Sequence, residues 1–288
     1  MNSNKYVSGL VGYTLLKKGN KYIWLLGDIH SGVEYCDNTD LEEIFIDELL
    51  NNFINNNNNI NIALEEVPRK LLDIELVELW PNDEHTQRLK EWYIKNEDII
   101  ISIDIRPFLV PFSYQKYFMK DQIHDDENNM IMTDYFNTLD TLFNFKKQNG
   151  KKHIIFFKNI LKALNNKDSN KGILEMFKLL KHKYNNLKNK INLNDTFENT
   201  VIKHKNIFEQ LDELKLNIMD WYTVLVLLGK GHYVCHFGLV HYMNVKEILI
   251  KNFNFEIIEE KGIHHIEDIK QLDNNLISSC IKMLNLKK

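Results

Sequence analysis

The sequence predicts an α/β fold, with a central, mostly parallel sheet, flanking helices and a helical insertion. Three observations lead there. Over about the first hundred residues, apolar runs of strand length alternate with stripes of helical period. The runs end in polar groups, as in Leu25-Leu26-Gly27-Asp28-Ile29-His30 and Ala63-Leu64-Glu65-Glu66. The alternation returns near Tyr233, beyond a long stretch without a strand pattern. We read one domain over residues 1–288, with 115–215 as a helical insertion or cap.

The elements follow in order. Tyr6 to Leu16 and Tyr22 to Leu26 read as strands, and Gly19-Asn20 between them reads as a hairpin turn. A helix is expected from near Asp40, capped by Thr39 or Asp40, with Leu41, Ile44, Phe45, Leu49 and Phe53 as its apolar stripe. The run Asn55 to Asn59 ends it in a loop. Ile60 to Val67 is the next strand, followed by a helix carrying Leu71, Leu72 and Leu76. Asp83 to Lys95 reads as a short amphipathic helix and Ile99 to Ile105 as a strand ending at Arg106-Pro107. From Gln115 to Leu228 apolar residues recur at three and four, giving helices broken near Asn149-Gly150 and between Asn165 and Gly172. Tyr233 to Phe237 is a strand, Val245 to Lys251 a helix and Phe255 to Glu259 a strand. The tail from Ile263 to Leu286 reads as one or two short helices.

Bulk properties narrow the function. A chain of 288 residues that is 44% apolar can bury a real core. A net charge of -4 and a pI near 6.3 argue against a nucleic-acid partner. The lysine-rich stretch from Lys178 to Lys190 reads as a solvated helix face. Cys36, Cys235 and Cys280 form no Cys-x-x-Cys pair, so neither a disulfide framework nor a zinc ribbon is expected. Met1 to Lys5 has no signal-peptide core, and Trp221 to Leu228 is too short to span a membrane. The expectation is a soluble cytoplasmic protein without a membrane partner, with a homodimer left open. Abundant asparagine, lysine and isoleucine point to an AT-rich genome.

The candidate chemistry lies at strand ends. Gly27-Asp28-Ile29-His30 and Gly238-Leu239-Val240-His241 each place a histidine three residues after a glycine that closes a strand. Glycine there lets the backbone turn and a ligand approach. Neutral histidine offers a metal ligand or a base near neutral pH. One such histidine alone would be an ordinary loop residue; two matching units favour function. Asp28 stands two before His30, a spacing at which extended residues share a face; an Asx-turn is the bland alternative. Glu65 and Glu66 end a strand expected to be buried, where a carboxylate needs a partner. Their faces differ. Glu65 follows Asn61 and Ala63 and is slightly preferred, without the parity deciding. Asp104 and Arg106 share a face; the arginine suits an anionic group or an internal ion pair about equally. Gly229-Lys230-Gly231-His232 repeats the Gly-x-x-His string, but at the wrong end of its strand. His236 and His264-His265 are given no role.

Two Gly-x-x-His units, a strand-end glutamate between them and an arginine after another strand resemble the TraB/Tiki superfamily. That group also takes in ChaN-like and erythromycin-esterase-like proteins. Met219-Asp220-Trp221-Tyr222-Thr223-Val224-Leu225, followed by Tyr233 to Asn244, is similar to a pattern in uncharacterised proteins of large DNA viruses with AT-rich genomes. The resemblance covers about the first hundred residues and about forty near the end. It implies a site of His30, Glu65 or Glu66, Arg106 and His241, with Asn244 nearby. Tiki-type members are divalent-metal-dependent proteases, erythromycin-esterase members use histidine as a base, and ChaN-like members bind haem. Asp28 stands where Tiki-type members often carry a threonine-like residue. A viral relative would act in the host cytoplasm or the virion.

The leading expectation is a metal-assisted hydrolase of peptide or ester bonds. His30, His241 and a glutamate, with Asp28 beside them, would hold Mn²⁺, Co²⁺ or Zn²⁺, and Arg106 would stabilise the developing anion. A calcineurin-like phosphoesterase comes second. Gly27-Asp28-Ile29-His30 imitates its opening motif, but the later Gly-Asn-His-Glu and Gly-His-x-His strings do not occur. The third reading is an inactive binding or structural module.

Overall fold

A computed structural model describes residues 5–29, 42–56, 59–68, 84–111, 129–144, 171–263 and 280–282. His30, Cys36, the expected helix at Leu71 to Leu76, the break at Asn149-Gly150 and His264-His265 lie outside these residues. The chain divides into two compact units. One comprises residues 1–66, 80–103 and 226–288, the other 67–79 and 104–225.

The fold is α/β. The first unit holds strands β1 (Lys5–Ser8), β2 (Gly12–Lys18), β3 (Lys21–Asp28) and β4 (Glu42–Ile44). Helix α1 (Ile46–Asn56), strand β5 (Ile60–Leu64), helix α2 (Glu84–Asn96) and strand β6 (Ile100–Ser102) follow. Beyond the second unit come β7 (His232–Gly238), α7 (Leu239–Phe253), β8 (Glu256–Gly262) and β9 (Cys280–Lys282). The main sheet has the order β6-β5-β7-β3-β2-β8. Its first four strands are parallel, so β5, β7 and β3 end at one edge; β2 is antiparallel to both its neighbours. A smaller sheet has the order β4-β1-β9.

Side-chain alternation gives the sheet two apolar faces. Trp24, Leu26, Ile62, Leu64 and Val234 pack with Leu49, Leu50 and Phe53 of α1 and Leu89, Trp92 and Tyr93 of α2. Each such fully buried side chain contributes roughly 1.5–3 kcal/mol. The opposite face carries Gly12, Thr14, Leu25, Gly27 and Phe237, and α7 lies against it through Tyr242.

Several element boundaries differ from expectation. The first apolar run is two strands, because Gly9 takes φ +84° between β1 and β2. Glu42–Ile44 is strand rather than helix, since it pairs with β1, and α1 starts only at Ile46. The run from Ile99 is mostly not strand: after β6, Ile105 turns helical and Arg106–Leu109 form a 3-10 turn with Pro107 at its start. Residues 280–282 of the tail pair with β1 as β9. The hairpin after β2 turns through Gly19, at φ +56°.

The second unit is helical: α3 (Met132–Asn144), α4 (Lys171–Lys188), α5 (Phe197–Lys203) and α6 (Lys205–Leu227), the last turn of α6 running into the first unit. Tyr135, Phe136, Phe143, Phe177, Tyr184 and Trp221 build its core. The Trp221 indole donates to the Ile173 carbonyl at 3.1 Å. Asp140 accepts from the Tyr184 hydroxyl at 2.8 Å and from Lys188 Nζ at 2.6 Å. Among the described residues, no helix is long and apolar enough to cross a membrane.

Candidate metal centre

Two neighbouring parallel strands and one helix bring three ligand-capable side chains together. In β7, residues 232, 234 and 236 point towards α1 and α2, which puts His236 beside Val234 rather than beside Phe237. In β3 the same parity carries Trp24, Leu26 and then Asp28. Leu26 is paired with His236, and Asp28 with Gly238, at the carboxyl edge where open α/β sheets bind ligands. His85, in the first turn of α2, reaches the same point. Asp28, His85 and His236 are 3%, 5% and 1% exposed.

Their donor atoms form a nearly equilateral triangle. His85 Nε2 is 3.3 Å from Asp28 Oδ2, His236 Nε2 is 3.2 Å from the same oxygen, and the two nitrogens are 3.2 Å apart. Protons satisfy this arrangement badly. A neutral imidazole nitrogen carries a hydrogen or a lone pair, and an ionised carboxylate only accepts. With both Nε2 atoms protonated, Asp28 is served twice but two N–H groups face each other. With one protonated, a pair of lone pairs is left in contact. A cation at the centre gives all three lone pairs one partner. Donors about 2.0–2.1 Å from a tetrahedral ion stand about 3.3 Å from one another, close to the spacing here. Two nitrogens and one oxygen suit Zn²⁺ or Mn²⁺ better than Cu⁺. Among the described residues, this is the one group of three His, Cys, Asp or Glu side chains so placed.

Gly9 explains how His85 fits. A Cβ on Gly9 would stand 2.1 Å from His85 Nδ1. The positive φ of Gly9 and the nearness of the imidazole both require glycine there. His85 Nδ1 is buried and makes no hydrogen bond among the described residues.

A second pair lies one step along the edge. The Glu65 N–H donates to the His236 carbonyl at 2.9 Å, continuing the β5–β7 ladder. Its side chain therefore follows Ala63 to the α7 face, where burial of the Cys235 thiol, and after it the nearby Glu65 charge, raises that thiol's pKa well above the ordinary value. Glu65 Oε2 accepts the Gly238 N–H at 2.6 Å, and Oε1 is 3.8 Å from His241 Nε2. Gly238 is the N-cap of α7, so the carboxylate also meets the positive end of that helix. Glu65 and His241 are 7% and 6% exposed.

The residues expected from the sequence separate accordingly. Asp28 belongs to the triangle, and His30 falls outside the described residues. His241 stands in the first turn of α7, not in a loop, and faces Glu65 rather than Asp28. Glu66 is only half-buried, its N–H bonded to the Leu64 carbonyl at 2.7 Å. Asn244 is half-buried one turn beyond His241. Arg106 belongs to the second unit and grips Asp104 in a fork, with Nε to Oδ1 at 2.8 Å and Nη2 to Oδ2 at 2.9 Å.

His85 and His236 were not expected as ligands. His236 sits inside an apolar strand and reads as core. The available signal was its position two residues before the glycine that ends the strand. His85 sits in an ordinary helical pattern, and nothing local marks it. Neither closing glycine makes a left-handed turn. Gly27 lies within β3, and Gly238 has φ -59° and ψ 148°.

Comparison with known proteins returns no matching family model, no matching curated protein and no matching solved structure.

Proposed function

We propose that the chain is a metal-dependent hydrolase of peptide or ester bonds, with Asp28, His85 and His236 as the ligands of its metal. The observation that carries this is the 3.2–3.3 Å triangle of buried donor atoms at the carboxyl edge of the sheet. A divalent ion bound there would polarise the scissile bond and lower the pKa of a bound water towards about 7. Asp28 offsets part of the ion's charge, and the two histidines bind it as neutral ligands. Glu65 and His241 supply a candidate acid–base pair beside it. Glu65 is held by the Gly238 N–H, and its other oxygen stands 3.8 Å from His241 Nε2. The resemblance to TraB/Tiki proteins supports hydrolysis, with Asp28, His85 and His236 taking over the metal role expected of His30 and His241. Arg106 is assigned no step, its guanidinium being engaged by Asp104.

The burial of all three ligands favours a second reading, in which the ion only staples α2 to the sheet. One experiment separates the two. Purified protein is analysed for bound metal, melted with and without EDTA, and assayed on fluorogenic peptide and chromogenic ester pools, as wild type and as His236→Ala and Glu65→Gln. Hydrolysis that needs both the metal and Glu65 supports the enzyme. Metal that raises the melting temperature with no hydrolysis supports the staple. Absence of stoichiometric metal, with melting indifferent to EDTA, overturns both.

A further inference from the structure

We infer that Tyr242 is a positioning residue that sets how α7 presents His241 to Glu65 and ties that pair to the strand bearing Asp28; this rests on the acid–base role proposed for His241. The observation is a seat built for one ring. Gly12 and Gly27 are directly paired across β2 and β3. A Cβ on Gly27 would stand 2.9 Å from Tyr242 Cγ, and one on Gly12 would stand 3.0 Å from Tyr242 Cε1. Tyr242 is fully buried, its ring lying where two side chains are missing. The glycine of Gly27-Asp28-Ile29-His30 thus admits a tyrosine rather than a ligand or a turn.

The hydroxyl is fixed as firmly as the ring. Tyr242 OH is 2.5 Å from Thr14 Oγ1. Thr14 also reaches Glu260 Oε1 at 3.3 Å, and Lys246, one turn further along α7, donates to that same oxygen at 2.7 Å. Lys246 Nζ stands 5.4 Å from the Tyr242 ring centroid. Burial raises the Tyr242 phenol pKa above its ordinary value, so the hydroxyl keeps its proton at working pH.

The consequence is geometric. Successive residues of a helix are about 100° apart around its axis. Once Tyr242 is seated, the rotation and height of the first turn of α7 are set, and His241 next to it has one direction to point. The same seat bears on Gly27, the residue before Asp28. A shift of the ring therefore reaches both the Glu65–His241 contact and the end of β3.

The test reads His241 directly in EDTA-treated protein. Its imidazole resonance is assigned by its loss in His241→Gln, and its titration midpoint is followed by NMR. Gly27→Ala, which has no positive φ to strain, is expected to shift the midpoint by at least half a pH unit. Tyr242→Phe, which keeps the ring and removes the hydroxyl, is expected to shift it less, in the same direction. In a Tyr242→Leu background, adding Gly27→Ala is expected to change nothing further. Leu249→Ala, a buried change elsewhere on α7, is expected to lower stability without moving the midpoint. The inference is overturned if Gly27→Ala leaves the midpoint in place, or if Leu249→Ala moves it as much. Should Gly27→Ala not fold, Tyr242→Phe against Leu249→Ala decides by the same criterion. A parallel Zn²⁺ titration of the wild type judges the metal reading separately, because the His241 measurement needs no metal.

Discussion

The two ends of β7 carry the same string and do opposite things. At the amino end, Gly229-Lys230-Gly231-His232 spells Gly-x-x-His, and its polar groups are committed to backbone. His232 Nδ1 accepts the Tyr22 N–H at 3.1 Å, and Asn61 donates to the Lys230 and His232 carbonyls. Lys21 donates to the Gly229 carbonyl and lies over the Tyr233 ring. At the carboxyl end, one oxygen of Asp28 and one ring nitrogen each of His85 and His236 converge to 3.2–3.3 Å, and Glu65 with His241 stands beside them. A side chain matched to a backbone partner explains itself within the fold. Ligand-capable atoms that converge make a candidate cation site.

The comparison breaks most sharply by exchanging the effects of the two ends. His236→Ala is expected to lower Zn²⁺ affinity at least a hundredfold in isothermal titration. It should also abolish the stabilisation that Zn²⁺ at about a hundred times its Kd gives the wild type, about 2.7 kcal/mol. His232→Ala should leave Zn²⁺ affinity within twofold and cost roughly 1 kcal/mol, by stranding the Tyr22 N–H. Equal losses at both ends would erase the distinction.

Glu65→Gln separates the two sites within the carboxyl end. The amide still accepts the Gly238 N–H but no longer carries charge. Zn²⁺ affinity is expected to hold within twofold while turnover falls on the order of 10²–10³-fold. A matching loss of zinc would show Glu65 to be a ligand instead.

Gly9→Ala tests the support of His85. The left-handed backbone alone should cost roughly 1–3 kcal/mol in chemical denaturation. The methyl should displace the imidazole and weaken Zn²⁺ about tenfold. Unchanged affinity would mean that His85 does not bind the ion.

Raising the pH favours both ends, through different groups. Metal ligation needs neutral histidines, so protons compete with the ion and Zn²⁺ affinity should fall as the pH is lowered. At the amino end, burial lowers the Lys21 pKa from 10.5 to about 8. The unfolded chain therefore holds that proton more tightly, and the Lys21 contribution to stability should rise as pH increases from about 8 to 10.5. The difference between wild type and Lys21→Met in urea melts across that window reads this smallest effect. A difference independent of pH would contradict it.

Much of the sheet was legible because β2, β3, β5 and β7 are apolar runs bounded by glycine or charge. The three-residue strands β4, β6 and β9 were missed or misjudged, because so short a segment has no period to read and exists through its pairing. Asp28 was legible as the polar group ending a buried strand. Glu65 was marginally legible from parity. His236 was hidden by its apolar neighbours. His85 was hidden because a helix residue in contact with a sheet edge leaves no local trace. His241 was found, but its helix begins at Leu239, earlier than its sequence suggests, which turns the histidine to Glu65.

The central claim is that Asp28, His85 and His236 hold one ion, and X-ray absorption on the protein loaded with one equivalent of Zn²⁺ tests it most directly. The expected spectrum shows two imidazole nitrogens and carboxylate or water oxygen at about 2.0–2.1 Å, with one imidazole lost in His85→Ala. A hydrated ion without imidazole scattering, a sulfur ligand, or a spectrum unchanged in His85→Ala would contradict it.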